Sequence, residues 1–142
     1  MDLFVRNIQL DCINKEEDIK RVINIFLNAA KAARLTSAFD TARKYLELII
    51  DIEPEIFKKD DSFMRTIYTE YHLVLFSLAD FEEMDKIYSK IEKITKYPIE
   101  LVNACCVQLI SLSNRSRYKE AFYLGISLLE KLGISYPEDK LM

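Results

Sequence analysis

Apolar positions along this chain recur every three or four residues, from near its start almost to its end. Ile19, Val22, Ile23, Phe26, Ala30 and Ala33 fall on one helical face and predict a helix over about 15–34. Asn14, followed three residues later by Glu17, reads as a capping box that starts it. Ahead of it, Leu3, Phe4, Ile8 and Cys12 predict a short leading helix. Thr36 and Ser37 mark a stop and restart, with a hydroxyl able to accept from the next helix's free N–H groups. Phe39, Ala42, Leu46, Ile49 and Ile50 form the second stripe, which Pro54 ends.

Asp60, Asp61 and Ser62 are caps for a third helix, roughly 62–79, with Met64, Ile67, Tyr68, Tyr71, Leu75 and Leu78 on its apolar face. A turn at Ala79–Asp80 leads to a fourth, built on Phe81, Met84, Ile87, Tyr88, Ile91 and Ile94. Pro98 suits the first turn of a fifth helix, which carries Ile99, Val102, Cys105, Cys106, Leu109 and Leu112. Asn114 to Ser116 turn the chain into a sixth, with Tyr118, Ala121, Phe122, Gly125, Leu128, Leu129 and Leu132. Gly133 is placed to be its left-handed C-terminal cap, and Pro137 follows.

The stripes repeat. Phe39…Ala42, Phe81…Met84 and Tyr118…Ala121 each open the second helix of a pair, at spacings of 42 and then 37 residues. Periods of that length belong to stacked helix pairs. The expected mechanism is an aromatic wedged against the first helix, with a small residue one turn on that lets the backbones close up. The predicted fold is all-α: six or seven helices in antiparallel pairs at about 15–54, 60–96 and 98–133, in one domain spanning 1–142, with 134–142 as tail or linker.

Composition agrees with this reading and narrows the function. Of 142 residues only two are glycine and three proline, too few for sheets with tight turns. A net charge of −3 with both signs interspersed excludes the clustered basic face that nucleic acid or an anionic membrane requires. Lys15, Lys20, Arg21, Lys31 and Arg34 are interrupted by acidic neighbours and read as a solvated face. Three cysteines make no secreted disulfide framework, which points to a reduced, cytoplasmic setting. No basic n-region opens the chain and no long apolar run crosses it, so neither a signal peptide nor a membrane span is expected.

Chemistry is sparse. Neither a P-loop nor a dinucleotide-binding glycine motif occurs, so no cofactor is expected. His72 is the only histidine; its functional reading is a phosphoacceptor, and its structural one is a helix-face ring hydrogen-bonded to a neighbour. Without a second histidine or a nearby cysteine pair, a zinc site lacks ligands. Cys105 and Cys106 are adjacent and would close only a strained ring, so they read as small core residues. Glu16-Glu17-Asp18, Asp60-Asp61 and Glu82-Glu83 fall at predicted helix starts, where they complement the helix dipole. Tyr45, Tyr88, Tyr97 and Tyr123 do not all fit the stripes. They either close gaps between pairs or, with Leu132, line a partner surface.

Phe26, Ala30, Phe39, Ala42 and Pro54 together resemble the tetratricopeptide repeat: large then small on the first helix, then aromatic, alanine and a closing proline. The second pair departs, with His72 at a small-residue place and Met84 for alanine, and in the third Gly133 stands where proline would be. Tyr68 and Gly125 complete the repeat positions. Over residues 20–140 the chain also resembles the helical region that follows the STAND-class P-loop ATPase in large bacterial and fungal signalling proteins. Those proteins begin with a kinase-like domain and end in GAF or histidine-kinase outputs. The residues that carry this likeness are Ala29, Ala30 and Ala33, the run Ala38-Phe39…Ala42…Tyr45-Leu46, and Tyr118…Ala121…Gly125…Leu129…Leu132-Gly133-Ile134.

The likeness implies a right-handed superhelix excised from a longer chain, with no catalytic motif of its own. Its role would be a non-enzymatic scaffold between an ATPase and signalling domains, with protein partners. A free-standing peptide-binding adaptor is the alternative, with Asn28 and Asn103 as clasping residues. A helical phosphotransfer protein using His72 is the enzymatic one. Leu128, Leu129, Leu132 and Ile134 predict an apolar end surface, open to a neighbouring segment or to another copy as a homo-oligomer contact.

Overall fold

The computed structural model describes residues 2–52 and 60–135, with side chains from residue 16 onward. Among them are six α-helices, one 3-10 turn and no strand. They are α1 (Asp2–Leu35), α2 (Phe39–Ile52), α3 (Asp61–Ser77), α4 (Phe81–Ile94), the 3-10 turn Pro98–Leu101, α5 (Val102–Asn114) and α6 (Tyr118–Lys131). The chain divides into two compact units, residues 1–59 and 60–142, each described by itself. Pro54 and Pro137 lie outside the described residues.

Three helical hairpins share one turn. Ser37, Ala79 and Ser116 all adopt positive φ, at 64°, 58° and 62°. Around each, two backbone bonds close the preceding helix in the same way. At the first turn, Ala38 N–H donates to Ala33 O at 2.8 Å and Ser37 N–H to Arg34 O at 3.0 Å. Asp80 to Leu75 with Ala79 to Phe76, and Arg117 to Leu112 with Ser116 to Ser113, repeat the pattern. This is a Schellman closure, which usually takes glycine. Here three residues bearing a Cβ occupy it, at a cost of about 1 kcal/mol each. Gly133, φ 95°, closes α6 with the same pair of bonds.

One residue after each left-handed position precedes the next helix, so three residues suffice for each connection. The second helices are all fourteen residues long and begin two residues past the left-handed one. The 42- and 37-residue offsets therefore hold through each turn and second helix, not only at the aromatic residues. Position for position, Ala42, Met84 and Ala121 are buried, as are Ile49, Ile91 and Leu128. Met84 is fully buried where the other pairs have alanine, so a flexible thioether fills that place in the second pair.

In the first unit, Ile23, Leu27 and Ala30 of α1 meet Ala42, Leu46 and Ile49 of α2. A fourteen-residue helix alone is marginal in water, so packing of these stripes holds it. Each large buried side chain contributes about 1.5–3 kcal/mol. In the second unit α3 pairs with α4 and α5 with α6, and α5 also packs on both α3 and α4.

Several local expectations change. The leading helix and the helix over 15–34 are one helix, since no glycine or proline interrupts residues 2–35. Asn14 and Glu17 therefore mark no N-terminus, and the Glu16–Asp18 cluster sits within the helix. Thr36 does not cap α2. Its Oγ1 donates back to Ala32 O and Ala33 O, at 3.2 and 3.1 Å, because the closure has already turned the chain. Asp60 and Asp80 do cap, accepting from Phe63 N–H at 3.1 Å and Glu83 N–H at 3.4 Å. Pro98 opens a 3-10 turn ahead of α5, in which no side chain caps the N-terminus.

The aromatic wedge also needs correction. Phe39 and Phe81 are half-buried, but Tyr118 is 67% exposed. Phe81 is covered from the following pair, by the Arg115 guanidinium 4.8 Å from its ring centre. Among the described residues nothing lies over Tyr118 in that way.

Candidate functional site

Two features of the second unit stand apart from ordinary core. The first is a polar chain linking three helices. The second is a charge-free outer side of α5 beside exposed aromatic residues of α6.

The polar chain starts at His72, on α3, which is 1% exposed. Its Nε2 lies 2.8 Å from Gln108 Oε1 on α5. Gln108 Nε2 donates to Asp85 Oδ1 on α4 at 2.8 Å. Asp85 also takes a bidentate grip from Arg115, at the end of α5, through bonds of 2.9 and 2.8 Å. Arg115 Nε further donates to Ser111 O at 3.3 Å, and Arg117 adds a longer ion pair to Asp85 at 3.7 Å.

The order of donors fixes the histidine tautomer. A carboxylate only accepts, so Gln108 must present its NH2 to Asp85 and its oxygen to His72. His72 then carries its proton on Nε2, and Nδ1 is a buried acceptor with no partner. Burial pushes the ring's pKa below its usual value, partly offset by the Gln108 bond and the Asp85 charge. The Arg115 hydrogen bonds hold the Asp85 carboxyl below the usual carboxylate range; burial opposes this, while Gln108 and the charges on Arg115 and Arg117 add to it.

Beside the histidine, the Tyr88 ring lies 5.7 Å away, centre to centre. Burial pushes the Tyr88 phenol far up and, as the largest cause, raises the Cys105 thiol too. Ser111 Oγ is buried without a hydrogen bond, and the Tyr88 hydroxyl has no neighbour to pair with but the Cys105 thiol. His72 is sealed from any phosphoryl donor, Cys105 is buried in its protonated form, and no group of three His, Cys, Asp or Glu residues among those described could hold a metal. What the chain of bonds does is lock α5 onto α3 and α4 in one register, since each polar group has its partner only there.

The outer face is the reverse case. α5, Val102–Asn114, contains no charged residue. Yet Asn103, Cys106, Ile110, Ser113 and Asn114 face solvent, Ile110 at 52%. On α6, Tyr118, Phe122 and Tyr123 are exposed at 67%, 47% and 53%, and Phe122 and Tyr123 meet edge to face. Leu132 and Ile134 continue the apolar surface past the helix end, while Leu128 is buried and Leu129 half-buried. A helix without charge on its outward side is normally covered.

Of the tyrosines read as surface, Tyr88 is buried and Tyr45 is half-buried against Phe26, its ring 5.9 Å away. Tyr88 belongs to the apolar stripe of its helix, and Tyr45 lies beside Leu46 on the edge of its own. Tyr123 and Leu132 do reach solvent. Phe26 is half-buried and Ala30 fully buried on α1, while Tyr68 is buried on α3. A side chain at Gly125 would meet Leu109 at 3.7 Å, ordinary contact, so glycine is not forced there.

Asp85, Gln108 and Arg115 were missed by sequence reasoning. Their one signal is a polar residue on the inward side of α5 and α4, where the stripe has a gap. No helix among the described residues is long and apolar enough to cross a membrane. No family model, curated protein or solved structure matches this chain.

Proposed function

We propose that this chain is a non-enzymatic interaction scaffold of the tetratricopeptide-like kind, a regulatory region that couples an ATPase module to signalling output domains through protein contacts. The observation that carries it is the charge-free outer side of α5 together with the exposed aromatic residues Tyr118, Phe122 and Tyr123 of α6. Apolar surface of this kind, gathered on one side of a repeat unit, is what a protein partner covers. The hairpin repeat supports the same reading, because stacked pairs bury a core between neighbours and leave their end faces open. The burial of His72 favours this reading over the phosphotransfer alternative. The ATPase-linked placement rests on the resemblance of residues 20–140 alone.

The test is binding in purified form. An ATPase module encoded upstream in the natural reading frame, expressed separately, is expected to bind the wild-type chain and to lose that binding with Ile110→Glu or Tyr123→Glu. Binding should survive Lys119→Ala. A natural reading frame with no ATPase overturns the coupling role. Binding that ignores both face variants overturns the assignment of the surface.

A further inference from the structure

The repeat offsets make the outer face of α5–α6 comparable, residue by residue, with the face of α3–α4 that α5 already covers. At the covered face, His72 and Asp85 receive Gln108, Phe81 receives the Arg115 guanidinium, and Arg65 pairs with Glu100 at 3.0 Å. Thirty-seven residues on, the offset set by Ala79 and Ser116, the same places hold Leu109, Phe122, Tyr118 and Val102. Every ionisable receiver has become uncharged. Gly125 stands where the earlier pairs have Leu46 and Tyr88, which leaves room for close approach.

The helix that would complement this face is in the chain itself. α1 is the first helix of the first hairpin, as α5 is of the third. Carrying Leu101 of the 3-10 turn and Ala104, Gln108 and Ser111 of α5 back to α1 through the left-handed positions Ser116 and Ser37 places them on Val22, Ile25, Ala29 and Ala32. These four lie at i, i+3, i+7 and i+10, one helical face. In the third hairpin the equivalents are buried; on α1, Val22 and Ile25 are 47% and 65% exposed and Ala32 is exposed. The glutamine that the polar receivers require is here an alanine, matching receivers that are leucine and phenylalanine.

We propose that a second copy of this chain docks head to tail, its α1 face of Val22, Ile25, Ala29 and Ala32 seated on the α5–α6 face around Leu109, Ile110 and Phe122. The contact continues an interface already present within the chain, between α5 and the α3–α4 hairpin, with apolar pairs in place of polar ones. It rests on the reading of that surface as a docking face and names a second copy of the chain as an occupant that competes there with the ATPase module. Because the two patches differ, the contact is heterologous and does not close on itself in a pair. Successive copies extend as an open array or a ring.

Sedimentation velocity across about 5 to about 500 µM protein is the test, since a single-helix interface belongs at the weak end of the size classes. Wild type is expected to shift to larger species as concentration rises. Ile25→Glu and Phe122→Glu, both exposed positions, are each expected to run as monomer. Mixed one to one, they should form a heterodimer, because one retains a good tail and the other a good head. Val22→Lys and Ile110→Glu repeat the design should either first variant fail to fold by circular dichroism.

A wild type that stays monomeric throughout overturns the proposal. So does an Ile25→Glu protein that still dimerises, which would mean a symmetric tail-to-tail contact. A mixture of the two variants that fails to pair overturns it as well. A monomeric wild type whose α5–α6 face still binds the ATPase module would remove self-docking and leave the scaffold role standing.

Discussion

Replacing Asp85 with alanine is the sharpest probe of the polar chain. Asp85 accepts three hydrogen bonds, one from Gln108 and two from Arg115. Bonds to a charged group contribute about 1.5–3 kcal/mol each where solvent is excluded. The side chain is 34% exposed, against 13% for Arg115, so screening cuts that figure substantially. The loss that remains comes mainly from Arg115, left largely buried with no carboxylate, and from the Gln108 NH2 group. Together they give an expected destabilisation of about 2–3 kcal/mol at neutral pH, below the range for breaking a fully buried pair. Asp85→Asn keeps an acceptor for Gln108 and should fall between.

The assay is urea denaturation of wild type and variant at several pH values. The folded-state pKa of Asp85 is depressed, so its contribution is complete above the unfolded value of about 3.9 and is lost as pH falls through the folded one. The gap between wild type and Asp85→Ala should therefore hold from neutrality down to about pH 4 and narrow below it. A variant within about 0.5 kcal/mol of wild type at pH 7 would refute the idea that this carboxylate ties α4 to α5.

Further outcomes are expected elsewhere. The pKa of His72 is lowered on folding, so the stability from its neutral ring is full above about 6.5 and falls as pH drops through that value, by up to about 1.4 kcal/mol per pH unit. His72→Gln should flatten that limb, and nitrogen-15 shifts should show the Nε2–H tautomer. Ala79→Gly relieves a Cβ at φ 58° and should raise the melting midpoint, by about 1 kcal/mol of stability less the added chain entropy. Gly125→Ala adds a methyl in ordinary contact with Leu109 and should stabilise α6 by about 0.5–1 kcal/mol in the same melts. An aromatic disulfide reagent should titrate exposed Cys106 at once and reach Cys105 only as the second unit unfolds.

Periodicity alone carried a great deal. Helix faces such as Ala42–Leu46–Ile49 and Met84–Ile87–Ile91 are readable because 3.6 residues per turn forces core positions into that spacing, whatever the partner. The turns were legible as places and not as geometry. Ser37, Ala79 and Ser116 carry no glycine signal, and only the folded chain shows that each accepts a left-handed backbone to close the helix before it. The seam expected near Asn14 vanished because a cap motif has meaning only where a helix ends.

Local sequence determined which residues would be helical, where hairpins turn and which stripe of each helix faces inward, since these depend on neighbours within about four positions. Tertiary structure decided what those stripes meet. Asp85, Gln108 and Arg115 are 23 and 30 residues apart along the chain, and a hydrogen-bond chain through them exists only once α5 lies across α3 and α4. The same is true of the faces left bare. Tyr118 and Phe81 hold equivalent places in the repeat, and among the described residues only Phe81 has a following hairpin to cover its ring, through Arg115.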